Sequence, residues 1–395
     1  MLHETPLREH HRQEAQRLLG DRHAHEDSQR PGAATGSAPS ELEPEYIPWG
    51  PPGPGGDQSC EVLATLGSVE IEYARLRRDC GRVDGSSRGT ILVEGDDAVD
   101  FLDRMLSQKL ADMKPGQAAA AFLVDRTGRI QSDLLLVCTG DGVLIDLDIH
   151  QVESTVTALE AFIFSEDVRL IDASSAWHRF GCHGPDAIEK FEGLEPLAVR
   201  EMELGGVRVQ VTRVDRIGGP GFDIFVPFDD AAAAWEGLEC GTVGWYAYNM
   251  ARIEGGTPLC NVDFGPGTLP HETGLVDERV SFSKGCYPGQ EIVARMQHLG
   301  KPKQILRGFR MEGDALPVAG AQVFASGEGE LGTPIGVVTS SCLSPMLGSA
   351  SIGFAMMRTS ASEPGTRVRI HDEGSQFDAS IGPLQAVEDG KEPGS

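Results

Sequence analysis

The feature that most constrains the fold is the alternation of two hydrophobic periods between residues 90 and 165. In "EGDDAVDFLDRMLSQKL" apolar side chains fall at Ala98, Phe101, Leu102, Met105 and Leu106, the series that paints one face of a helix. Asp96 and Asp97 precede it as N-cap and first-turn acids, and Pro115-Gly116 follows in the next turn. "SDLLLVCTGDGVLIDLDI" then reads as two strands around the turn "TGDG". In the second of them Val143, Ile145 and Leu147 alternate with Leu144, Asp146 and Asp148, which predicts one buried and one mostly polar face. "VESTVTALEAFIF" returns to the helical period through Val152, Val156, Leu159 and Ile163. Strand, helix, hairpin, helix is an α+β rhythm with antiparallel pairing, and it is not a doubly wound one.

"GVRVQVTRV", "GFDIFVP", the helix "DDAAAAWEGL" and "ARIEGGTP" continue that rhythm. After Pro302 only strands and turns remain, in "ILRGFRM", "AQVFAS", "TPIGVVTSS", "ASIGFAM" and "TRVRI", as expected of a separate small β-barrel or sandwich. A chain of 395 residues leaves room for two or three globular units. The expected division is a Pro/Gly-rich flexible extension over 1–60, two interleaved α+β domains over 61–300, and a β-barrel over 301–390. The first part holds five of the eleven histidines and "RPGAATGSAPSELEPEYIPWGPPGPGG", which cannot bury enough apolar area to offset its ordering entropy.

A formal charge of −26 argues against nucleic acid or an anionic membrane as partner, because so acidic a surface repels phosphate. No apolar run reaches the roughly 18 to 20 residues that span a bilayer, and "MLHETPLREHH" lacks the apolar core of a secretory signal. A cytoplasmic location is expected. The cysteines, Cys60, Cys80, Cys138, Cys182, Cys240, Cys260, Cys286 and Cys342, lie far apart without C-x-x-C pairs. Most are expected as reduced thiols, with no intrinsic metal site. In "CHGP" Cys182 and His183 are strand neighbours pointing to opposite faces, so a structural role is the stronger reading. "GGPG" at 218–221 lacks G-x-G-x-x-G spacing and reads as a turn.

"KGCYPGQEIVAR" at 284–295 is different. Pro288-Gly289 forces a turn, a helix is expected to begin near Gln290, and Lys284 lies two residues from Cys286. A cation and a helix N-terminus would both favour thiolate. A cysteine packed under the turn is the competing reading, since free cysteine is among the most buried residue types. Residues 281–310 carry Lys284, Arg295, Lys301, Lys303, Arg307 and Arg310 against one acid, Glu291. Such a basic island suits a multiply anionic small ligand, and equally an ordinary solvated helix end and linker.

The stretch "LPHETGLVDERVSFSKGCYPGQEIVARMQHLGKPKQILRGF" resembles the K-G-C-[FY]-x-G-Q-E region of the YgfZ family of folate-binding proteins. These are relatives of the glycine-cleavage T-protein (aminomethyltransferase) and of iron-sulfur assembly factors. The resemblance runs back through "RIEGGTP", "GCHGPDA" and "FLVDRTGRIQSDLLLV" and forward into "TPIGVVTSSCLSPMLGSASIGFAM". "ETPLREHH" is similar to the T-protein's extreme N-terminus, which would make the Pro-rich stretch an insertion.

The resemblance implies a three-domain cloverleaf around a central channel, with two α+β domains, a C-terminal β-barrel, and tetrahydrofolate or a folate derivative in the channel. It would give the basic island the folate glutamate tail as its ligand. It implies an accessory role in assembling or repairing iron-sulfur clusters of client enzymes, including tRNA-modifying ones, with folate and iron-sulfur client or assembly proteins as partners. Cys286 and Lys284 would be the chemical residues, with Gln290 and Glu291 fixing the turn. Asp133, Arg252, Glu254, Tyr287, Gln290, Glu291 and Arg295 are the implied folate-site residues. Asp133 is open between binding the pterin and capping its hairpin. Arg252 and Glu254 are favoured as a structural ion pair. The alternative is a folate-dependent aminomethyltransferase or demethylase. Against it stand two departures from the T-protein pattern: in "TGRIQSD" Ser132 replaces one acid of G-G-x-x-D-D, and Gly219 takes the position of a pterin-holding glutamate.

Overall fold

The computed structural model describes residues 4–29, 43–51, 60–327 and 332–387. Two antiparallel-rich sheets and a closed barrel form three lobes. The first sheet orders its strands Ala118–Val124, Ile130–Cys138, Val143–Asp148, Arg88–Glu94, Arg169–Asp172. Its outer face carries the helices Ala98–Met105 and Val152–Glu160, whose Phe101, Leu102, Met105 and Leu159 complete a core with Leu136, Ile145 and Leu147. The periodicity thus placed both helices correctly, with one difference at the cap. Asp97 makes no side-chain cap to its own helix, because its carboxylate accepts instead from the Asp167 N–H at 2.9 Å.

The second sheet runs Val199–Leu204, Val207–Arg213, Gly221–Pro227, Trp177–His183, Gly81–Asp84, Gly241–Val243. The chain enters this sheet at Gly81, leaves to build the whole first sheet, and returns at Trp177. Only the last pair, Gly241–Val243 on Gly81–Asp84, is parallel. Six strands from Gln304–Met311 to Ser375–Gly382 close the barrel, whose first and last strands pair. The α+β architecture with a C-terminal barrel is therefore the observed fold.

Both faces of Val143–Asp148 are buried, contrary to the expected polar face. Its second face looks at the second lobe, and Asp146 meets Arg88 of its own sheet and Arg179 and Arg216 of the second lobe. Burial there is tolerated because each charge is paired.

The first 60 residues also depart from expectation. Arg8–Gln29 is a helix, and Leu7, His11 and Ala15 are completely buried. Glu14 binds Arg82 and the Thr242 amide, and Glu45–Pro48 pairs with Glu61–Thr65. A short apolar series spaced for one helix face, anchored by charges, sufficed to dock a segment that composition alone marks as flexible. Residues 1–3, 30–42 and 52–59, the remainder of that expectation, lie outside the described residues.

Candidate functional site

A cavity of about 750 Å³ opens where the lobes meet. Arg88, Ala120, Asp133 and Leu135 line it from the first lobe, Arg213, Val214 and Arg216 from the second, and Leu384 and Gln385 from the segment after the barrel. Two glycines let the walls approach. A Cβ on Gly218 would sit 2.8 Å from the Gly255 Cα, and one on Gly255 would sit 2.4 Å from the Gly218 nitrogen. Only residues without side chains fit back to back at that spacing.

Asp133 stands on Ile130–Cys138, and strand alternation decides what each neighbour faces. Asp133 lines the channel, where its carboxylate takes a 2.7 Å bond from the Arg279 Nε. Ser132 is 1 % exposed and bonds Thr155 at 2.6 Å on the core side. The acid replaced in this chain is thus the one turned away from the channel. Asp133 does not cap the hairpin. Burial lowers the affinity of Arg279 for its proton, but Asp133 and then Glu278 outweigh it and hold the guanidinium charged.

Beside the channel lies a narrow cavity of about 60 Å³, lined by Trp49, Trp245, Tyr248, Asp84, Arg179 and His183 among others. Arg88 and Arg216 line both spaces. They belong to a buried network in which Arg88 forks onto Asp146, Arg216 forks onto Asp223, and Arg179 reaches both acids. Within that network three arginines face two aspartates. Burial alone would push the Asp223 carboxyl up, yet Arg179 and Arg216 hold it well below the usual carboxylate range. Burial also pushes His183 down to about 3, against the pull of Asp223. Its Nδ1 is buried without a hydrogen-bond partner among the described residues, a donor or acceptor free to meet a ligand. Trp49 comes from the N-terminal segment, donates to Asp148 at 3.0 Å, and packs edge-on to Trp245 at 4.9 Å. No motif marked these aromatic and arginine residues in the sequence; they come together only through the interleaved topology.

The K-G-C-Y-P-G-Q-E loop is held by its flanking residues. The Lys284 ammonium donates to the Asp103, Leu106 and Gln108 carbonyls, the last two at 2.8 and 2.9 Å. It thereby satisfies carbonyls at the end of Ala98–Met105, and burial lowers its pKa. The ammonium also lies 3.4 Å from the Asp103 carboxylate. Tyr287 is buried in a cluster with Phe122, Ile130 and Phe264, and burial raises its hydroxyl to about 12. Gly289 is left-handed at φ 78°, and a Cβ there would meet the Asp125 oxygen at 2.2 Å. Gln290 donates to the Gly285 carbonyl at 3.3 Å, starting the helix Gln290–Leu299 as expected. Glu291 and Arg295 are exposed, and Glu291 makes no side-chain cap at that helix start.

Cys286 is the exposed member of the eight cysteines; the other free thiols are buried. Neither it nor any residue from Lys284 to Arg310 is among the channel-lining residues. The basic island therefore does not supply the channel's cations, which are Arg88, Arg213, Arg216 and Arg279.

Arg252 and Glu254 do not pair with each other, and they lie on the helix Trp245–Glu254, not on a strand. Arg252 is fully buried against Asp263 at 2.6 Å. Glu254 accepts from Arg77 and Tyr73, both at 2.6 Å, and from the barrel's Ser344. Both are structural braces between lobes. Neither lines the channel.

Residues 61–284 match the family described as the GCVT N-terminal domain, and residues 305–387 match the glycine cleavage T-protein C-terminal barrel domain. An aminomethyltransferase of Geobacillus sp. (strain WCH70) is 26 % identical over 338 residues, covering 81 % of this chain and 91 % of that protein. An aminomethyltransferase of Corynebacterium jeikeium (strain K411) is 28 % identical over 349 residues, covering 78 % and 88 %. Among solved structures, glycine cleavage system aminomethyltransferase T from Bartonella henselae has the same fold, with a TM-score of 0.74 at 24 % identity over 84 % of this chain and 92 % of that one.

Proposed function

The chain belongs to the glycine cleavage T-protein family, and from that premise we propose that it binds tetrahydrofolate or a folate derivative in the channel between its lobes. The observation that carries this reading is a roomy channel between the lobes walled by Arg88, Arg213, Arg216 and Arg279. A flat heterocycle needs apolar faces and polar partners, which Leu135, Val214 and Asp133 offer at the channel wall. A glutamyl tail needs cations, which Arg213 and Arg279 offer at the channel wall.

Two finer readings follow from different parts of the molecule. One-carbon transfer of the aminomethyltransferase kind is favoured by the relatives' names and by Asp133 in the channel. The replacement of the neighbouring acid by Ser132 no longer weighs against it, since that position is core. The YgfZ-like reading, a folate-dependent accessory to iron-sulfur assembly or repair in client enzymes, is favoured by Cys286 held out to solvent by an anchored loop. Gly219 in place of a glutamate also favours it, because a Cβ there has open space and no partner.

Titrating tetrahydrofolate against the full chain and assaying release of ammonia and thiol from an S-aminomethyl donor, whose carbon is already at the formaldehyde oxidation level, separates them. Saturable binding with methylenetetrahydrofolate formed, abolished in Asp133→Asn, supports the transferase. Binding without product, together with lower activity of iron-sulfur enzymes in cells carrying Cys286→Ala, supports the accessory role. Absence of saturable folate binding sinks both.

A further inference from the structure

Three neighbouring strands of the second sheet bring three cysteines to one of its ends. Cys80 and Cys240 immediately precede Gly81 and Gly241, which face each other in the parallel pair, and they are joined as a disulfide with Cα atoms 5.6 Å apart. Cys182, on Trp177–His183, places its Sγ 3.7 Å from that of Cys240. All three sulfurs lie within 4.8 Å of one another, and the residues are 3 %, 7 % and 0 % exposed. No local pattern marks this cluster, because the positions are 160 residues apart at the ends and lack any C-x-x-C pair.

A structural staple needs two sulfurs, and the third has no part in it. Nor does Cys182 act as a nucleophile on the disulfide, since burial pushes its thiol up to about 12 and keeps it protonated. A soft metal ion is the species that makes ligands of three buried thiols, because it displaces their protons. No histidine or carboxylate belongs to the group among the described residues, whereas structural zinc calls for four ligands. Three thiolates alone suit a soft ion of low coordination number. Metal–sulfur bonds of about 2.3 Å in a trigonal plane separate the sulfurs by about 4 Å, inside the observed spread. Lys190 and Arg82 act on Cys182 as positive charges, which would offset an anionic complex.

We propose that Cys80, Cys182 and Cys240 form a three-thiolate site for one Cu(I)-class ion, available once the Cys80–Cys240 disulfide is reduced. A dithiol reductant delivers two electrons and two protons to the sulfur–sulfur bond and leaves as its own disulfide. Cu(I) then displaces three protons, one from each thiol, and the complex carries two negative charges.

The test uses the full chain, reduced with a dithiol and freed of it anaerobically, then titrated with Cu(I) against a chromophoric Cu(I) chelator. One ion per chain is expected, with sulfur-to-metal absorption. Cys182→Ser should weaken it by about 100-fold or more, at or above the upper end of what losing even an outer-shell partner costs. Cys182→Ala guards against a solvation effect of the serine, and circular dichroism checks that each variant is folded. Cys286→Ala and the oxidised chain separate this site from the exposed thiol: the first should bind normally and the second should not bind. Tight binding that survives Cys182→Ser and Cys182→Ala, disappears in Cys286→Ala, or is absent from the reduced folded chain overturns the proposal.

Discussion

The channel and the 284–291 loop are joined by one short segment, in which Arg279 faces Asp133 and Lys284 follows five residues later. The channel is assembled from residues scattered over 88–385, each unremarkable in sequence, and its charges are paired but reachable. The loop is a compact motif whose residues mostly do mechanical work on their surroundings. Lys284 fastens three carbonyls, Tyr287 fills a core, and Gly289 admits the turn at Asp125. Gly285, Cys286 and Glu291 are left to face solvent. A dense motif can thus record how a loop is anchored, while the ligand site beside it leaves almost no local trace.

The largest expected effect lies in the braces that hold the channel's walls. Arg252→Ala leaves Asp263 charged and uncompensated in a fully buried position, so unfolding in denaturant should show a loss of about 3 to 5 kcal/mol. A smaller loss would mean that the lobes hold together without this brace. On the loop side, Lys284→Met should cost about 2 to 3 kcal/mol by stranding the carbonyls it serves. If that variant instead leaves stability alone and alters only Cys286 reactivity, the lysine is chemical and the contrast fails.

Acid should act through the channel side. His183 and His11 are held neutral by burial, at about 3 and about 4 against an ordinary 6.5. Below 6.5 the unfolded chain takes up protons that the folded chain refuses, so their contribution is complete above that pH and declines as pH falls toward 4. Each histidine adds a slope of about 1.4 kcal/mol per pH unit. Denaturant titrations between pH 7 and about pH 4 should record the decline, with His183→Gln reducing the slope. An unchanged slope in that variant would remove His183 from the account. The smallest effect belongs to Cys286→Ala, which should shift unfolding by no more than about 0.5 kcal/mol. A large destabilisation would mean that the side chain is packed in solution.

The sequence made the fold legible wherever one period persisted. The helix at Ala98–Met105, the hairpin at 130–148 and the all-strand region after Pro302 follow from side-chain spacing alone. It misjudged the places where burial comes from another lobe. Asp146 and Asp148 look solvent-facing in a strand pattern, but Asp146 is buried against Arg179 and Arg216 of the second lobe and Asp148 beneath Trp49 of the N-terminal segment. His11 and Trp49 sit in a polar, proline-rich context and are fixed by partners hundreds or scores of residues away. Within the site, Asp133 was identifiable from its motif, while Arg279 and the narrow cavity's aromatic residues had no local signal.

The measurement that bears most directly on the central claim is calorimetric titration of tetrahydrofolate into the full chain and two variants. Ala120→Trp fills the channel from its wall without removing a polar contact, and Cys286→Ala alters only the loop. The account predicts saturable binding to the native chain and to Cys286→Ala, and none to a folded Ala120→Trp. Unchanged binding to Ala120→Trp, or loss of binding in Cys286→Ala, would contradict it.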